Sequence, residues 1–182
     1  MEIATDFILQ RQMAIELFSS LYTRAHRSLL VRSLARRACS SLARFSDVLP
    51  YLIPERRYVG IQNIRLDQIT GSVGRATDFD ADFRPLKAHM RDRWVSNFLH
   101  MQSGSSEAIL VYQVGDRYYV EDGHHRVSVA RASGRTFIEA EVWEYCLQSA
   151  APFAEAPALR LSESWQPVFP SKAPACACPE AA

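Results

Sequence analysis

Five consecutive residues, Asp122 to Arg126, combine a carboxylate, a glycine, two imidazoles and a guanidinium. They lie between a segment typical of a strand and a segment typical of a helix. The first backbone N–H groups of a helix have no partners within it and lie at the positive end of its dipole, so they attract anions. Gly123 allows an anion to approach the backbone, and Arg126 offers a bidentate charged contact. The pattern predicts a phosphate-binding loop.

The remaining side chains of this loop suit more than one chemistry. The two histidines can donate to phosphate oxygens, or one can carry a proton near neutral pH. Asp122 would repel a phosphate unless Mg²⁺ lies between them or the carboxylate is the base for an attacking hydroxyl. A structural alternative needs no ligand: Asp122 caps the helix, His125 packs in the core, and Arg126 pairs with Glu121 or Glu144.

Hydrophobic periodicity predicts the elements around the loop. "EAILVYQV" is apolar on both faces, as in a central strand, and Gly115 with Asp116 forms a hairpin turn into "RYYVE". "GHHRVSVARASG" is a helix that Gly134 closes, and "TFIEAEVWEY" alternates as a half-buried strand. Upstream, "YVGIQNIRLDQI" predicts a strand, and a helix follows Pro85. Its buried stripe contains Leu86, Met90, Trp94 and Phe98 or Val95.

The segment "TGSVGRATDFDADFRP" is rich in glycine and aspartate and predicts an ordered loop. Long loops within compact domains are often functional. Its "GSVGR" stretch offers Ser72 and Arg75 as further phosphate donors, with a purely structural turn as the alternative. "SDVLPYLIPERRYVG", with two prolines, is predicted to be a connector.

Residues from about Asp6 to Phe45 predict two helices broken near "YTRAHRS". The second has an apolar stripe opposite an arginine face. The stripe is Leu30, Leu34, Ala38, Leu42 and Phe45, and the arginines are Arg32, Arg36, Arg37 and Arg44. Either the helix packs its stripe and solvates its arginines, or residues 24–44 contact nucleic acid or an acidic partner. Exposed leucines could also pair two copies, which leaves the oligomeric state open.

Composition sets outer limits. The 182 residues, 48% hydrophobic and 23% charged, can bury one core without disulfide or metal support. The net charge of +1 excludes neither a nucleotide nor a nucleic acid. No secretory signal and no segment of membrane-spanning length is visible, which predicts a cytoplasmic protein. The four cysteines, Cys39, Cys146, Cys176 and Cys178, are too scattered for a disulfide framework.

The stretch "ILVYQVGDRYYVEDGHHRVSVARASGRTFIEAEV" resembles the core of the ParB/sulfiredoxin superfamily. "IRLDQITGSVGRATDFDADFRPL" and "RDRWV" resemble an uncharacterised bacterial branch of it, the ParB N-terminal-like proteins. The resemblance runs from about Gly60 to Tyr145. It implies a nucleotide held between the first-strand loop and the loop at 122–126.

The loop departs from each better-known branch. Sulfiredoxins have a nucleophilic cysteine where His124 stands, which argues against sulfinic-acid reduction. ParB partition proteins contact CTP phosphates through glycine, glutamate, arginine, arginine, of which Gly123 and Arg126 match. Free-serine kinases have aspartate, glycine, histidine, threonine, arginine, which matches at all positions but His125. Those kinases use a glutamate of the first-strand loop as the base. That glutamate is missing here, so the base is absent or is supplied by Asp78 or Asp80.

We therefore predict an α+β, ParB/sulfiredoxin-like domain with a small mixed sheet (47–147), a basic helical extension (1–46) and a disordered alanine- and proline-rich tail (148–182). The predicted function is a nucleotide- or phosphate-ligand-binding regulatory module that uses ATP, ADP or CTP, with Mg²⁺. The alternatives are an enzyme of the same fold (a small-molecule kinase, phosphohydrolase or nuclease) and a nucleic-acid-associated protein. The predicted ligand-binding residues are Gly123, His124, His125, Arg126, Ser72 and Arg75, with Asp122 as Mg²⁺ ligand or base.

Overall fold

The computed structural model describes the backbone of residues 2–34 and 41–148, and the side chains of 6–31 and 41–148. This part of the chain forms helices around one sheet. The helices are α1 (Glu2–Leu34), α2 (Phe45–Val48), α3 (Arg91–Gln102) and α4 (His124–Ala132). The strands are β1 (Ala43–Arg44), β2 (Leu52–Arg65), β3 (Ile69–Ser72), β4 (Ile109–Val114), β5 (Arg117–Asp122) and β6 (Phe137–Leu147). Short 3₁₀ turns occupy Leu49–Tyr51, Leu66–Gln68 and Ala88–Met90.

The sheet is mixed, with the strand order β1-β3-β5-β4-β6-β2. β4 and β5 form the predicted antiparallel hairpin, β2 pairs antiparallel with β6, and the other neighbouring pairs are parallel. β4 lies between β5 and β6, and both of its faces are covered: Ile109 and Val111 pack in the main core, and Tyr112 and Val114 pack against the Phe45 cluster on the other face. The predicted class, α+β with a small mixed sheet and an N-terminal helix, is confirmed.

α3 and α4 pack together against the buried side of the sheet, in one apolar core. The predicted stripe is confirmed at Trp94 and Phe98, which are buried on α3, and at Met90, which is buried in the 3₁₀ turn before it, but Leu86 precedes both elements and is half-buried. The Trp94 Nε1–H donates to Ser128 Oγ at 2.9 Å and so joins α3 to α4. α1 packs on the outer side of α3, where the Phe18 ring meets the Trp94 ring edge-on with centroids 5.9 Å apart.

The predicted break of the N-terminal helix near "YTRAHRS" is wrong, because α1 continues through it. The polar side chains there bond within the helix instead of ending it. Thr23 Oγ1 donates to the Ser19 carbonyl oxygen at 2.8 Å, and His26 Nδ1 lies 2.9 Å from the Tyr22 carbonyl oxygen. No glycine or proline occurs in the segment.

The single apolar stripe predicted from Leu30 to Phe45 is also wrong. α1 ends at Leu34, the Leu30 side chain is 65% exposed, and Phe45 is a buried residue of α2. Residues 35–40, and the tail from 149 onward, lie outside the described residues, so the predicted tail stays a prediction. The described residues belong to one compact unit, Met1–Ser149. No helix in the described ranges is both long and apolar enough to cross a membrane.

Two segments predicted as irregular contribute strands. The predicted connector contains α2, a 3₁₀ turn and the first half of β2. Pro54 is tolerated there because β2 is the edge strand, where a missing N–H breaks no ladder. The predicted loop begins as β3, in which Gly71 lies so close to β1 that a Cβ would stand 2.6 Å from the Ala43 carbonyl oxygen.

Candidate functional site

A cavity of about 460 Å³ opens at the N-terminus of α4. One wall is α3, with Arg93, Asn97 and His100, and a second wall is the loop 105–107. The predicted loop 122–126 forms the floor, and Arg75 reaches the cavity from the first-strand loop. The structure therefore brings together every predicted site residue except Ser72, which lies directly behind His124.

Gly123 is the N-cap of α4 and has left-handed backbone angles, φ +96° and ψ 19°. An added Cβ would stand 2.5 Å from Ile109 Cγ2, so a side chain fits neither the conformation nor the space. The first helical hydrogen bond runs from the Val127 N–H to the Gly123 carbonyl oxygen at 3.0 Å. No side chain caps the helix, so the alternative in which Asp122 is the N-cap is wrong. Residues 124–126 line the cavity, and the first amides of a helix have no partners within it.

His124 joins the two loops that the sequence predicted to meet. Its ring is 4% exposed, and its Nε2 lies 2.7 Å from Ser72 Oγ. Ser72 Oγ also accepts the Arg75 backbone N–H at 2.8 Å, so the hydroxyl proton is available to His124 Nε2. Ser72 is fully buried, so in this structure it orients His124 and fixes the start of the loop. Its direct contact with a ligand stays a prediction.

His125 borders the cavity but lacks a partner. The residue is 7% exposed, and its Nδ1 is buried without a hydrogen bond from any described residue. The Phe79 ring packs edge-on against it at 5.5 Å. An unsatisfied buried polar atom is costly, and no described residue offsets that cost at His125.

Both histidines are neutral at physiological pH. Burial lowers the pKa of His124 to about 4, and the positive charge of Arg75 adds to the shift. Burial likewise lowers the pKa of His125 to about 4, with Arg93 as the next cause. Each ring therefore acts as an uncharged group with one N–H, and neither titrates near neutral pH in the folded protein.

Arg126 is held by the protein itself. Its Nη1 donates to the carbonyl oxygens of Glu107 and Ala108 at 2.9 and 2.7 Å, and its Nη2 contacts Asp122 Oδ2 at 2.6 Å. The ion pair with Asp122 replaces the glutamate pairs considered from the sequence. Arg126 thus fixes the 105–107 wall relative to the helix start, and its contact with a ligand stays a prediction.

Two arginines supply positive charge that the protein only partly offsets. Arg75 is 48% exposed and lies 3.3 Å from Asp78, a carboxylate that Lys87 also contacts. Arg93 is exposed and makes no ion pair within the part of the chain that the structure describes. Arg93 was not among the site residues predicted from the sequence. Its spacing from Asn97 and His100 places the three on one side of α3, and that spacing was the available signal.

The carboxylates of the site do not form a metal centre by themselves. Asp122 is 65% exposed and already accepts from Arg126. Asp80, considered as a base, is buried and accepts the backbone N–H groups of Asp82 and Arg84, and burial raises its pKa. Among the described residues, no group of three or more histidine, cysteine, aspartate or glutamate side chains could hold a metal ion. A metal held by protein ligands alone does not fit this site.

Comparisons with known proteins give one structural similarity. The chain matches no protein-family model and no curated protein sequence. A solved structure of sulfiredoxin from Arabidopsis thaliana is similar to it, with 20% identity over 47% of this chain and 86% of that one, and a TM-score of 0.36. A similarity of this size defines neither a family nor an activity.

Proposed function

We propose that the cavity at the start of α4 binds a phosphate-bearing ligand and that the protein acts as a binding module. The observation that carries this proposal is a cavity lined by the first residues of α4, where a helix has amides without helical partners, and by Arg93, which makes no ion pair with a described residue. Helix amides and arginine are the groups that proteins use for phosphate oxygens. The neutral rings of His124 and His125 line the cavity without adding charge.

The cavity is large enough for more than an inorganic phosphate. Its volume of about 460 Å³ lies within the range of small-molecule sites. We include a nucleotide, ATP, ADP or CTP, in the proposal, with its phosphates at α4 and its remainder against Asn97 and His100. Mg²⁺ would be bound mainly by the phosphate oxygens, with Asp122 as one protein ligand, because Mg²⁺ commonly combines one or two carboxylates with phosphates.

The test is calorimetric titration of the full chain with ADP, ATP, CTP and inorganic phosphate, each with and without Mg²⁺. We expect Arg93→Gln to weaken binding about tenfold or more, since a hydrogen bond to a charged group contributes roughly 1.5–3 kcal/mol. The matched control is Arg91→Gln on the same helix, which lies outside the cavity lining and should bind as the wild type does. Equal affinities of the Arg93 variant and the wild type would contradict the proposal, and so would an absence of binding to all four compounds.

The same samples separate the alternatives. Product formed from a bound nucleotide over hours would indicate an enzyme of this fold, and no product would leave a binding module. Deleting the N-terminal segment is not a clean test of nucleic-acid binding, because Phe18 of α1 packs on Trp94 in the core. Arg24→Gln combined with Arg27→Gln is preferable. If nucleic acid binds there, this variant loses affinity and its salt dependence becomes shallower.

A further inference from the structure

α1 has a second face that no described residue covers. Its inner face carries the buried residues Ala14, Phe18 and Ala25, which lie toward the core. On the opposite side, large apolar side chains are open to solvent: Leu9 is 58% exposed and Met13 is 55% exposed. Apolar groups of this size on one line of a helix are typical of an interaction surface.

These residues belong to a line of exposed side chains, here called the outer stripe. Its members are Leu9, Met13, Glu16, Ser20, Arg24, Arg27 and Val31. They follow one another at intervals of three or four residues, which keeps them on one side of a helix with 3.6 residues per turn. The charged members form no ion pair with any other residue of the described chain. Glu16 accepts only the Gln12 side-chain amide, at 3.1 Å.

The outer stripe is self-complementary about Ser20. Leu9 and Val31 lie eleven residues before and after Ser20, and Glu16 and Arg24 lie four before and after it. Intervals of four and eleven residues complete about one and three turns, so these positions share the face of Ser20. A two-fold axis through Ser20 therefore places each residue opposite its counterpart on an antiparallel second helix.

We propose that α1 pairs with α1 of a second copy of this chain, antiparallel, with the two-fold axis at Ser20. Glu16 of each copy then faces Arg24 of the other, and Leu9 faces Val31 at both ends. The small Ser20 side chain permits a close approach at the axis. A parallel pair would instead set Glu16 against Glu16 and Arg24 against Arg24, which like charges oppose. Charge complementarity thus selects both the occupant and its direction.

A nucleic acid fits the same surface less well. It would contact Arg24 and Arg27, but it would meet the negative charge of Glu16 and leave Leu9, Met13 and Val31 in water. A second copy satisfies all of them, since the stem of Arg27 can also cover Met13. The proposal is independent of the phosphate site, because no residue of the outer stripe lines the cavity at the start of α4.

Sedimentation analysis of the full chain over a range of concentrations tests the pairing by charge exchange. We expect a dimer for the wild type, a shift of at least tenfold toward monomer for Glu16→Arg and for Arg24→Glu, and recovery of the dimer in the double variant. Arg91→Glu on α3 is the matched control and should not shift the equilibrium. A monomeric wild type, or single variants that remain as dimeric as the wild type, would overturn the proposal. Thermal unfolding of each variant is the control for folding, and we expect the same melting temperature as the wild type because the substituted side chains are exposed.

Cross-linking tests the axis itself. Ser20→Cys should form a disulfide-linked dimer under a mild thiol oxidant, because its counterpart lies directly across the axis. Ser19→Cys is the matched control, since Ser19 is also exposed but points about 100° away around the helix. Both are compared with the wild type, which has its own cysteines. Equal cross-linking of the two variants would refute the antiparallel register. The exposed Ile61 on the edge strand β2 marks a rival dimer surface. If Ile61→Asp dissociates the dimer while the charge variants stay dimeric, the pairing through α1 is also refuted.

Discussion

Replacing Gly123 with alanine tests whether the start of α4 has the conformation described. Two costs add at this position. A residue with a Cβ loses about 1–2 kcal/mol in a left-handed conformation. The new Cβ would also stand 2.5 Å from Ile109 Cγ2 and 2.8 Å from Ile109 Cβ, and overpacking of this kind costs about 1–3 kcal/mol. We expect Gly123→Ala to lower the free energy of unfolding by about 2–5 kcal/mol.

Gly134→Ala is the matched control for this measurement. Gly134 also has a left-handed backbone, with φ +69°, but an added Cβ there has nothing within 4 Å. Its alanine variant should lose only the conformational cost, about 1–2 kcal/mol. The difference between the two variants isolates the collision with Ile109.

Urea unfolding followed by circular dichroism supplies both free energies. A domain near the middle of the typical range of about 5–15 kcal/mol keeps both variants largely folded at room temperature, so the transitions can be measured. The reasoning is refuted if Gly123→Ala is no less stable than Gly134→Ala. That result would mean that strand β4 and the start of α4 are not in close contact.

Three further changes test the environment of the site. In the folded protein the pKa of His124 and of His125 is about 4, below the ordinary value of 6.5. Between these two values the unfolded chain binds more protons than the folded protein does. The free energy of unfolding therefore falls as the pH drops from about 6.5 to about 4. Each ring contributes up to about 3 kcal/mol to the free energy of unfolding at neutral pH. The urea midpoint should therefore be higher near pH 7 than near pH 4.5, and equal midpoints would contradict the two low pKa values. Ser72→Ala removes the partner of both His124 Nε2 and the part-buried Arg75 backbone N–H, and it should cost about 1–3 kcal/mol of stability in the same assay. An unchanged midpoint would contradict those contacts. Trp94→Phe leaves Ser128 Oγ without its donor and should lower the melting temperature by several degrees, whereas an unchanged melting temperature would contradict that hydrogen bond.

The segments that the sequence predicted well have strong local signals. The hairpin of β4 and β5 follows from two apolar runs around Gly115, and α4 follows from its own period and Gly134. These signals also predicted the loop 122–126 at the start of α4. Local chemistry sufficed there because turn residues and helix ends fix the backbone.

The residues whose roles were not predicted from the sequence depend on contacts with distant segments of the chain. Gly71 looked like a loop residue, yet it pairs with Ala43 of β1 and Tyr119 of β5 inside β3, where the Ala43 carbonyl leaves no room for a Cβ. Pro54 looked like a linker residue, yet the edge position of β2 accommodates it. Arg93 has a local signal in its helical spacing from Asn97 and His100, but only the packing of α3 against α4 turns that side of the helix toward the cavity. Tertiary packing, which no local pattern encodes, decided all three.

The central claim is that the first turn of α4 binds an anion, and nuclear magnetic resonance of the full chain titrated with ADP tests it most directly. We predict that the ring signals of His125 and the backbone amide signals of residues 124–126 shift in a saturable way, while His26, which bonds to the Tyr22 carbonyl on α1, stays unchanged. If ADP leaves the signals of residues 124–126 in place, or moves only those of α1, the account is contradicted.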